Sequence, residues 1–323
     1  MKALIIGLGI GELYRSIYES KLWEVTTVDT HKPADYWDIE QVQGEFDVAH
    51  ICTPNYTHES IARTIAPMCK IVFVEKPGLP TAEDWESLVH TFPQTRFSMV
   101  KNNQHRSNIA DLYVHARSSD EIVINWHNYN RVPNPGSWFT ERELAWGGVS
   151  RDLLPHCLSW VQVFEPEFHE LDFVSGSVHQ HYDLETVGST DYGTIDPYGV
   201  YDVDDSADIT LQNRWHKYTC TASWKNPVGD KICIEFYKDG DLTHVEPLGL
   251  CPEDAYEKMI DTAVNNLYTN RYWHGEQRRD VWIHQQLELL KCQVYYTPQV
   301  MVYFEKLNTF LRLCKTTRFV FRL

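Results

Sequence analysis

Gly7-Leu8-Gly9-Ile10-Gly11-Glu12 separates a short apolar run, Lys2 to Ile6, from a helical pattern. A glycine turn at that place lets backbone approach a pyrophosphate at the N-terminus of a helix, where free N–H groups favour an anion. Gly7, Gly9, Ile10 and Gly11 are the candidate turn residues. Asp29 ends the next apolar run, twenty-two residues beyond Gly7. A carboxylate there can accept from ribose hydroxyls and repel a 2′-phosphate. His31 and Lys32 stand near enough to soften that preference, and a plain turn-capping role for Asp29 is the alternative. Two further groupings have the residue types for proton transfer. Lys76 is followed by Pro77, which stiffens its turn. Asp152 and His156 are four apart in a predicted helix, so both project from one face. Imidazole titrates near neutral pH, which suits a proton relay. Taken alone, Lys76 reads as a surface lysine, and Asp152 with His156 as an exposed pair or a core histidine.

These residues need elements to hold them. The first hundred residues alternate apolar runs (2–6, 23–28, 47–52, 71–74, 97–100) with helical patterns (12–20, 58–68, 81–91). Continuous apolar strands separated by helices predict a parallel sheet covered on both faces, with ligands at the carboxyl ends of its strands. Thr53, Pro54 and Asn55 follow the third strand, where they can touch such a ligand. Glu75 and Lys76 follow the fourth. Beyond about residue 105 the runs 122–126, 171–178, 201–211, 218–224, 231–237 and 242–245 predict a large, open, mostly antiparallel sheet. Helical patterns at 151–163, 253–268 and 279–296 are expected to cover one side of it. The fold class is therefore α/β, with a doubly wound N-terminal domain (1–105), an α+β domain (106–296) and a C-terminal extension (297–323). That extension carries five Lys/Arg and one Asp/Glu, and reads either as packed on the body or a partner subunit, or as a flexible basic tail.

Composition removes other classes. The chain has 323 residues and a formal charge of −16, which argues against a nucleic-acid surface. No apolar run approaches the roughly 20 residues that span a bilayer, and no membrane association is expected. The eight cysteines form no Cys-x-x-Cys pair, so neither a zinc site nor a disulfide framework is expected, and reduced thiols suit the cytoplasm. His179 and His181 would share one strand face but have no evident third ligand, so no metal is expected.

Three segments then stand in a recognisable order: Cys52-Thr53-Pro54-Asn55-Tyr56-Thr57-His58, Val74-Glu75-Lys76-Pro77-Gly78, and Trp146-Gly147-Gly148-Val149-Ser150-Arg151-Asp152-Leu153-Leu154-Pro155-His156. Together they resemble the Gfo/Idh/MocA oxidoreductases, the glucose–fructose oxidoreductase and inositol dehydrogenase family. The resemblance runs from residue 1 to about 165, and more loosely to about 295. Three places depart from it: Glu12 where a small residue is usual, Ser150-Arg151 before Asp152, and Gln104-His105-Arg106-Ser107 in the crossover.

The resemblance implies hydride transfer between a nicotinamide and a hydroxyl or carbonyl of a sugar, cyclitol or related small molecule. It implies NAD as cofactor, with NADP as the alternative, and a homodimer or homotetramer. In that chemistry Lys76 is the group that binds the reacting oxygen and exchanges its proton, at an affinity lowered by burial and by the nicotinamide cation. Asp152 would bind substrate hydroxyls and His156 relay the proton. Glu75 would hold the lysine or the nicotinamide ribose. Trp138 and Arg151 are candidate substrate contacts, Trp138 with a packing role as the alternative and Arg151 for an anionic substrate. Two other functions remain open from sequence: an NAD-retaining glycosidase or lyase, and a non-catalytic NAD(P)-sensing regulator.

Overall fold

The computed structural model describes residues 1–188 and 191–294; the 297–323 extension lies outside them. The first unit runs β1 (Lys2–Ile6), α1 (Gly11–Ser20), β2 (Glu24–Val28), β3 (Phe46–Ile51), α2 (His58–Ile65), β4 (Cys69–Val74), α3 (Ala82–Thr91) and β5 (Arg96–Met99). Its five strands are all parallel, in the order β2-β1-β3-β4-β5. Helices cover both faces, so the central strands β1, β3 and β4 are almost wholly buried. Tyr14, Ile17 and Tyr18 of α1 pack on one face, and Ala62, Ile65, Trp85 and Leu88 of α2 and α3 on the other. Thr81 caps α3 by accepting from the Asp84 N–H at 3.0 Å.

The chain continues through α4 (Ile109–Ser118), β6 (Glu121–His127), α5 (Arg142–Ala145), α6 (Val149–Asp152), α7 (Leu154–Phe164), β7 (Asp172–His179), β8 (Ser206–Gln212), β9 (Lys217–Ser223), β10 (Lys231–Lys238) and β11 (Asp241–Pro247). Two helices, α8 (Glu253–Asn265) and α9 (Asn270–Val294), end the described residues. The second sheet has the order β11-β10-β6-β9-β8-β7. Only β6 and β9 pair in parallel. The strands alternate buried and half-exposed residues, as a sheet covered on one face must.

Several elements differ from the sequence expectation. The 151–163 helix is two helices. Pro155 has no N–H to give and its ring crowds the carbonyl one turn back, so α6 stops at Asp152 and Pro155 lies in the first turn of α7. The strand expected from Tyr201 begins only at Ser206. The preceding backbone is used elsewhere, because Asp204 O accepts from Val149 N at 2.9 Å. Helix α4 was not expected; its buried face is only Leu112 and Ala116, too sparse a pattern to stand out. Helix α8 does not cover the second sheet. Its Met259, Ile260 and Ala263 join the core of the first, beside Tyr14 and Tyr18.

Helix α9 spans both units over about 37 Å. Its C-terminal half buries Trp282, Ile283, Leu287 and Leu290, and Gly176 of β7 leaves room for Leu290. Its polar side chains satisfy backbone N–H groups of the first unit: Asp280 accepts from Met99 N at 3.1 Å, His284 Nε2 from Leu79 N at 3.0 Å, and Glu288 from Ala82 N. His284 Nδ1 donates to Asp280 O at 2.7 Å, which fixes the tautomer.

The turn after β4 is thus clamped by α9. Gly78 sits there at φ +82°, and a Cβ would lie 2.6 Å from His284 Nε2. Gly78→Ala is expected to lower stability by about 1–3 kcal/mol in urea unfolding. An unchanged midpoint would show that the clamp is loose.

Candidate active site

The carboxyl ends of β1, β3 and β4 bring together the turns singled out from sequence. Gly7 has φ +88°, and a Cβ on it would lie 2.5 Å from Cys52 O, so only glycine fits between the β1 and β3 ends. A Cβ on Gly11 already meets Ile5 Cγ2 at 2.9 Å. Gly11 therefore allows the close helix–sheet approach. Glu12 takes no part in it: the residue is exposed and pairs with Arg15 at 3.8 Å. Gly9 is different, since a Cβ there meets nothing within 4 Å. It faces open space, and α1 begins behind it at Gly11, with Ile10 at the N-cap giving no side-chain hydrogen bond. Bare backbone in front of an uncapped helix N-terminus fits a pyrophosphate.

Asp29 braces this turn. Its Oδ2 accepts from Leu8 N at 2.7 Å, and its Oδ1 accepts from His31 N and Lys32 N at 2.7 Å each. Burial works against the charge, but these N–H donors hold the carboxyl below its usual value. A bound ribose would share a carboxylate already in use. Thr53 Oγ1 lies 2.7 Å from Thr57 Oγ1, and Asn55 Nδ2 donates to Ala145 O at 2.9 Å across to the second unit. His58 bridges Thr53 O and Gly78 O at 2.9 and 2.8 Å, tying the two loops together.

Glu75 and Lys76 turn inward at the end of β4. Glu75 Oε1 accepts from Tyr14 Oη at 2.8 Å, and the Lys76–Pro77 peptide is cis. The Lys76 ammonium meets the Asp152 carboxylate across the gap between the units, with side-chain exposures of 21% and 14%. The other carboxylate oxygen accepts from Trp224 Nε1 at 2.8 Å. His156 stacks on Trp126 at 4.8 Å between centroids, with its Nδ1 3.3 Å from Asn103 Nδ2. The space between Lys76, Asp152, Asn55, Gly147, Arg151 and Phe139 is only about 10 Å³.

This geometry corrects the expected protonation states. Burial lowers the proton affinity of Lys76, as expected, but the Asp152 charge and hydrogen bond, with Glu75 behind, outweigh it and hold the ammonium above its usual value. Burial opposes the Asp152 charge, yet Lys76 and Trp224 keep it a carboxylate. Burial and then Lys76 push His156 down to about 3. It is a neutral imidazole across the physiological range, not a group poised near pH 7. Nor do Asp152 and His156 share a helix face, since they lie on either side of the break at Leu153. His156 is near enough to feel the charges of Lys76 and Asp152, but it is not among the residues lining the small cavity between them.

Arg151 lines the same cavity as Asp152, so its position around the helix does not exclude it. Trp138 stacks on Phe139 at 3.9 Å, and Phe139 rather than Trp138 lines the space beside Lys76. The sequence reading missed Trp224, Tyr14, Trp126, Asn103 and Phe139. Tyr14 alone had a local signal, three residues after Gly11 on the buried face of α1.

Residues 23–101 match the GFO_IDH_MocA model, an oxidoreductase family with an NAD-binding Rossmann fold. The match covers β2 to β5 of the first sheet with the helices between them. A protein of Amycolatopsis mediterranei (strain S699), provisionally named a UDP-kanosamine synthase oxidoreductase subunit, is 29% identical over 118 residues, which are 35% of this chain and 33% of that protein. Solved structures share the whole architecture at low identity. GenD2 from gentamicin A biosynthesis, in complex with NAD, superposes with a TM-score of 0.69 at 14% identity, covering 89% of this chain and 92% of that one. Levoglucosan dehydrogenase with NADH and levoglucosan gives 0.66 at 14%, covering 90% and 96%. A myo-inositol dehydrogenase from Corynebacterium glutamicum gives 0.67 at 12%, covering 91% and 96%. At such identities these likenesses establish the fold, including the second sheet. No helix among the described residues is long and apolar enough to cross a membrane.

The Asp152 carboxylate is held by one ammonium and one indole N–H. Trp224→Phe removes the neutral donor and is expected to cost about 2 kcal/mol in urea unfolding. Asp152→Asn leaves Lys76 without its counter-charge and is expected to cost about 3 kcal/mol. Unfolding midpoints equal to wild type in both would show that the pair is not formed.

Proposed function

We propose that this chain is an NAD(P)-dependent oxidoreductase acting on a hydroxyl or carbonyl of a sugar, cyclitol or related small molecule. The observation that carries this reading is the meeting of Lys76 and Asp152 between the two sheets, just after β4, within the stretch 23–101 that matches an NAD-binding oxidoreductase family. The solved structures of like fold include a myo-inositol dehydrogenase and a levoglucosan dehydrogenase, which supports the substrate class.

Gly7, Gly9, Ile10 and Gly11 would hold the pyrophosphate, Asp29 the adenosine ribose, and Thr53, Pro54, Asn55 and Glu75 the path towards the nicotinamide. When bound, the nicotinamide accepts or supplies the hydride. Lys76 holds a proton at Nζ and would donate a hydrogen bond to a carbonyl oxygen, then give it the proton as the carbinol forms. In the opposite direction Nζ must first release its proton before it can take one from a hydroxyl. Asp152 fixes the ammonium and would accept from a neighbouring substrate hydroxyl. His156, neutral and stacked on Trp126, would orient a hydroxyl by hydrogen bond rather than supply an imidazolium proton.

The same proposal divides the chain into a cofactor part (1–105) and a substrate part (106–296), with α8 and α9 packed back onto the first. It places the protein in the cytoplasm as a homodimer or homotetramer. Thr210, Thr219 and Thr221, on the half-exposed side of the second sheet, offer the joining face.

Titrating NADH and then NADPH into the protein, read by nicotinamide fluorescence, tests the reading. Saturable binding, tighter for NADH because of Asp29, is expected, in a preparation whose light-scattering mass is two or four chains. No binding of either cofactor would remove the oxidoreductase assignment, and a one-chain mass would remove the oligomer.

A further inference from the structure

Arg151 stands next to Asp152 on α6, and the residue is only 3% exposed. Its Nη1 is buried without a hydrogen-bond partner, and the guanidinium makes no ion pair among the described residues. A buried arginine is ordinarily paired, because desolvating its charge without a partner is costly. The two carboxylates close enough to influence it are Asp204 and Glu288. Asp204 is committed elsewhere through both oxygens, and Glu288 through one. Asp204 accepts from Gly148 N at 3.0 Å, Ser150 N at 2.7 Å and Ser150 Oγ at 3.0 Å. Glu288 accepts from Ala82 N at the start of α3.

The chain makes room for this unpaired group. Gly147 has φ +150°, and a Cβ on it would lie 2.9 Å from Arg151 Cγ, so the bare backbone lets the arginine pass. Beyond Gly147 lies a second cavity of about 70 Å³, lined among others by Arg142, Ser150, Arg151 and His179, with the hydrogen-bonded Asp204 in its wall. Gly147 and Arg151 belong to the walls of both this cavity and the smaller one that holds Lys76 and Asp152. The planar fork of a guanidinium matches a carboxylate or phosphate.

We infer that Arg151 is the binding site for an oxyanion carried by the substrate, a carboxylate or a phosphate set beside the reacting carbinol. The substrate is then an acidic sugar or polyol, not a neutral one. This deepens the oxidoreductase reading and rests on it for which end of the substrate faces Lys76. The anion neutralises the guanidinium only when substrate is in place. Arg151 thus selects substrate, while Lys76 and Asp152 act on the neighbouring oxygen.

The test uses inorganic phosphate on protein saturated with NADH, so that the glycine turn is already occupied. Thermal unfolding is followed with and without phosphate for wild type and Arg151→Met, and NADH saturation is read in the same samples by fluorescence. Phosphate is expected to raise the wild-type Tm by about 2 °C or more at millimolar concentration. Arg151→Met is expected to melt no lower than wild type in phosphate-free buffer and to lose the phosphate response. Equal responses in the two proteins, or no response in wild type, would each overturn the assignment. Should Arg151→Met fail to fold, Arg151→Lys decides: a weakened response supports the site, and an unchanged one overturns it. A parallel acetate titration separates the sources, because the anion with the larger Arg151-dependent shift names a carboxylate-bearing or a phosphate-bearing substrate. If NADH does not bind, the oxidoreductase reading fails on its own, and the difference between wild type and variant in phosphate still judges Arg151.

Discussion

The charge pair between Lys76 and Asp152 joins the two halves of the molecule at the place where chemistry is proposed. Neither charge is stable in that setting alone, since burial opposes both. Each is kept by the other, by Trp224 on the Asp152 side and by Glu75 behind Lys76. The pair therefore constrains the fold as well as the reaction. The carboxyl end of β4, the end of α6 and the end of β9 must converge to within hydrogen-bond reach for it to exist. Its proton stays on Lys76, which suits donation to a carbonyl oxygen and makes release the first demand of the reverse reaction.

Helix α9 supports this convergence from outside the site. Asp280, His284 and Glu288 each accept from a backbone N–H of the first unit that has no strand partner for it. Buried N–H groups left unmet are costly, so the second unit completes the hydrogen bonding of the first. The turn that carries Lys76 lies between β4 and Leu79, and its position is set from both ends. Lys101, buried against Asp280 and Glu276 of α9, closes the same seam at the end of β5.

What the sequence made legible was local. The glycine turn, the Glu-Lys-Pro corner and the Gly-Gly segment before Asp152 are short stretches whose residue types answer to backbone geometry or to one neighbour. Pro155 carried the signal for the break at Leu153, although the periodicity around it pointed to one helix. Trp224 was not legible, because it reaches Asp152 through the pairing of β9 in the second sheet, 72 residues away. The α9 acceptors bond to backbone more than 180 residues distant, which imposes no pattern on the donor's side chain. Protonation states were misread for the same reason. Residue type suggests a titrating histidine at 156, whereas dense surroundings and a neighbouring ammonium keep it neutral. Glu12 breaks the expected pattern of the turn yet stands outside it, a matter of direction that spacing alone does not reveal.

The most direct test of the account is Lys76→Met, compared with wild type for NADH affinity and for turnover of a sugar or cyclitol substrate. NADH affinity is expected within about threefold of wild type and turnover reduced by about 10³-fold or more, since only the proton-exchanging group is lost. Turnover within tenfold of wild type, with cofactor still bound, would contradict it and move the reacting proton to another residue.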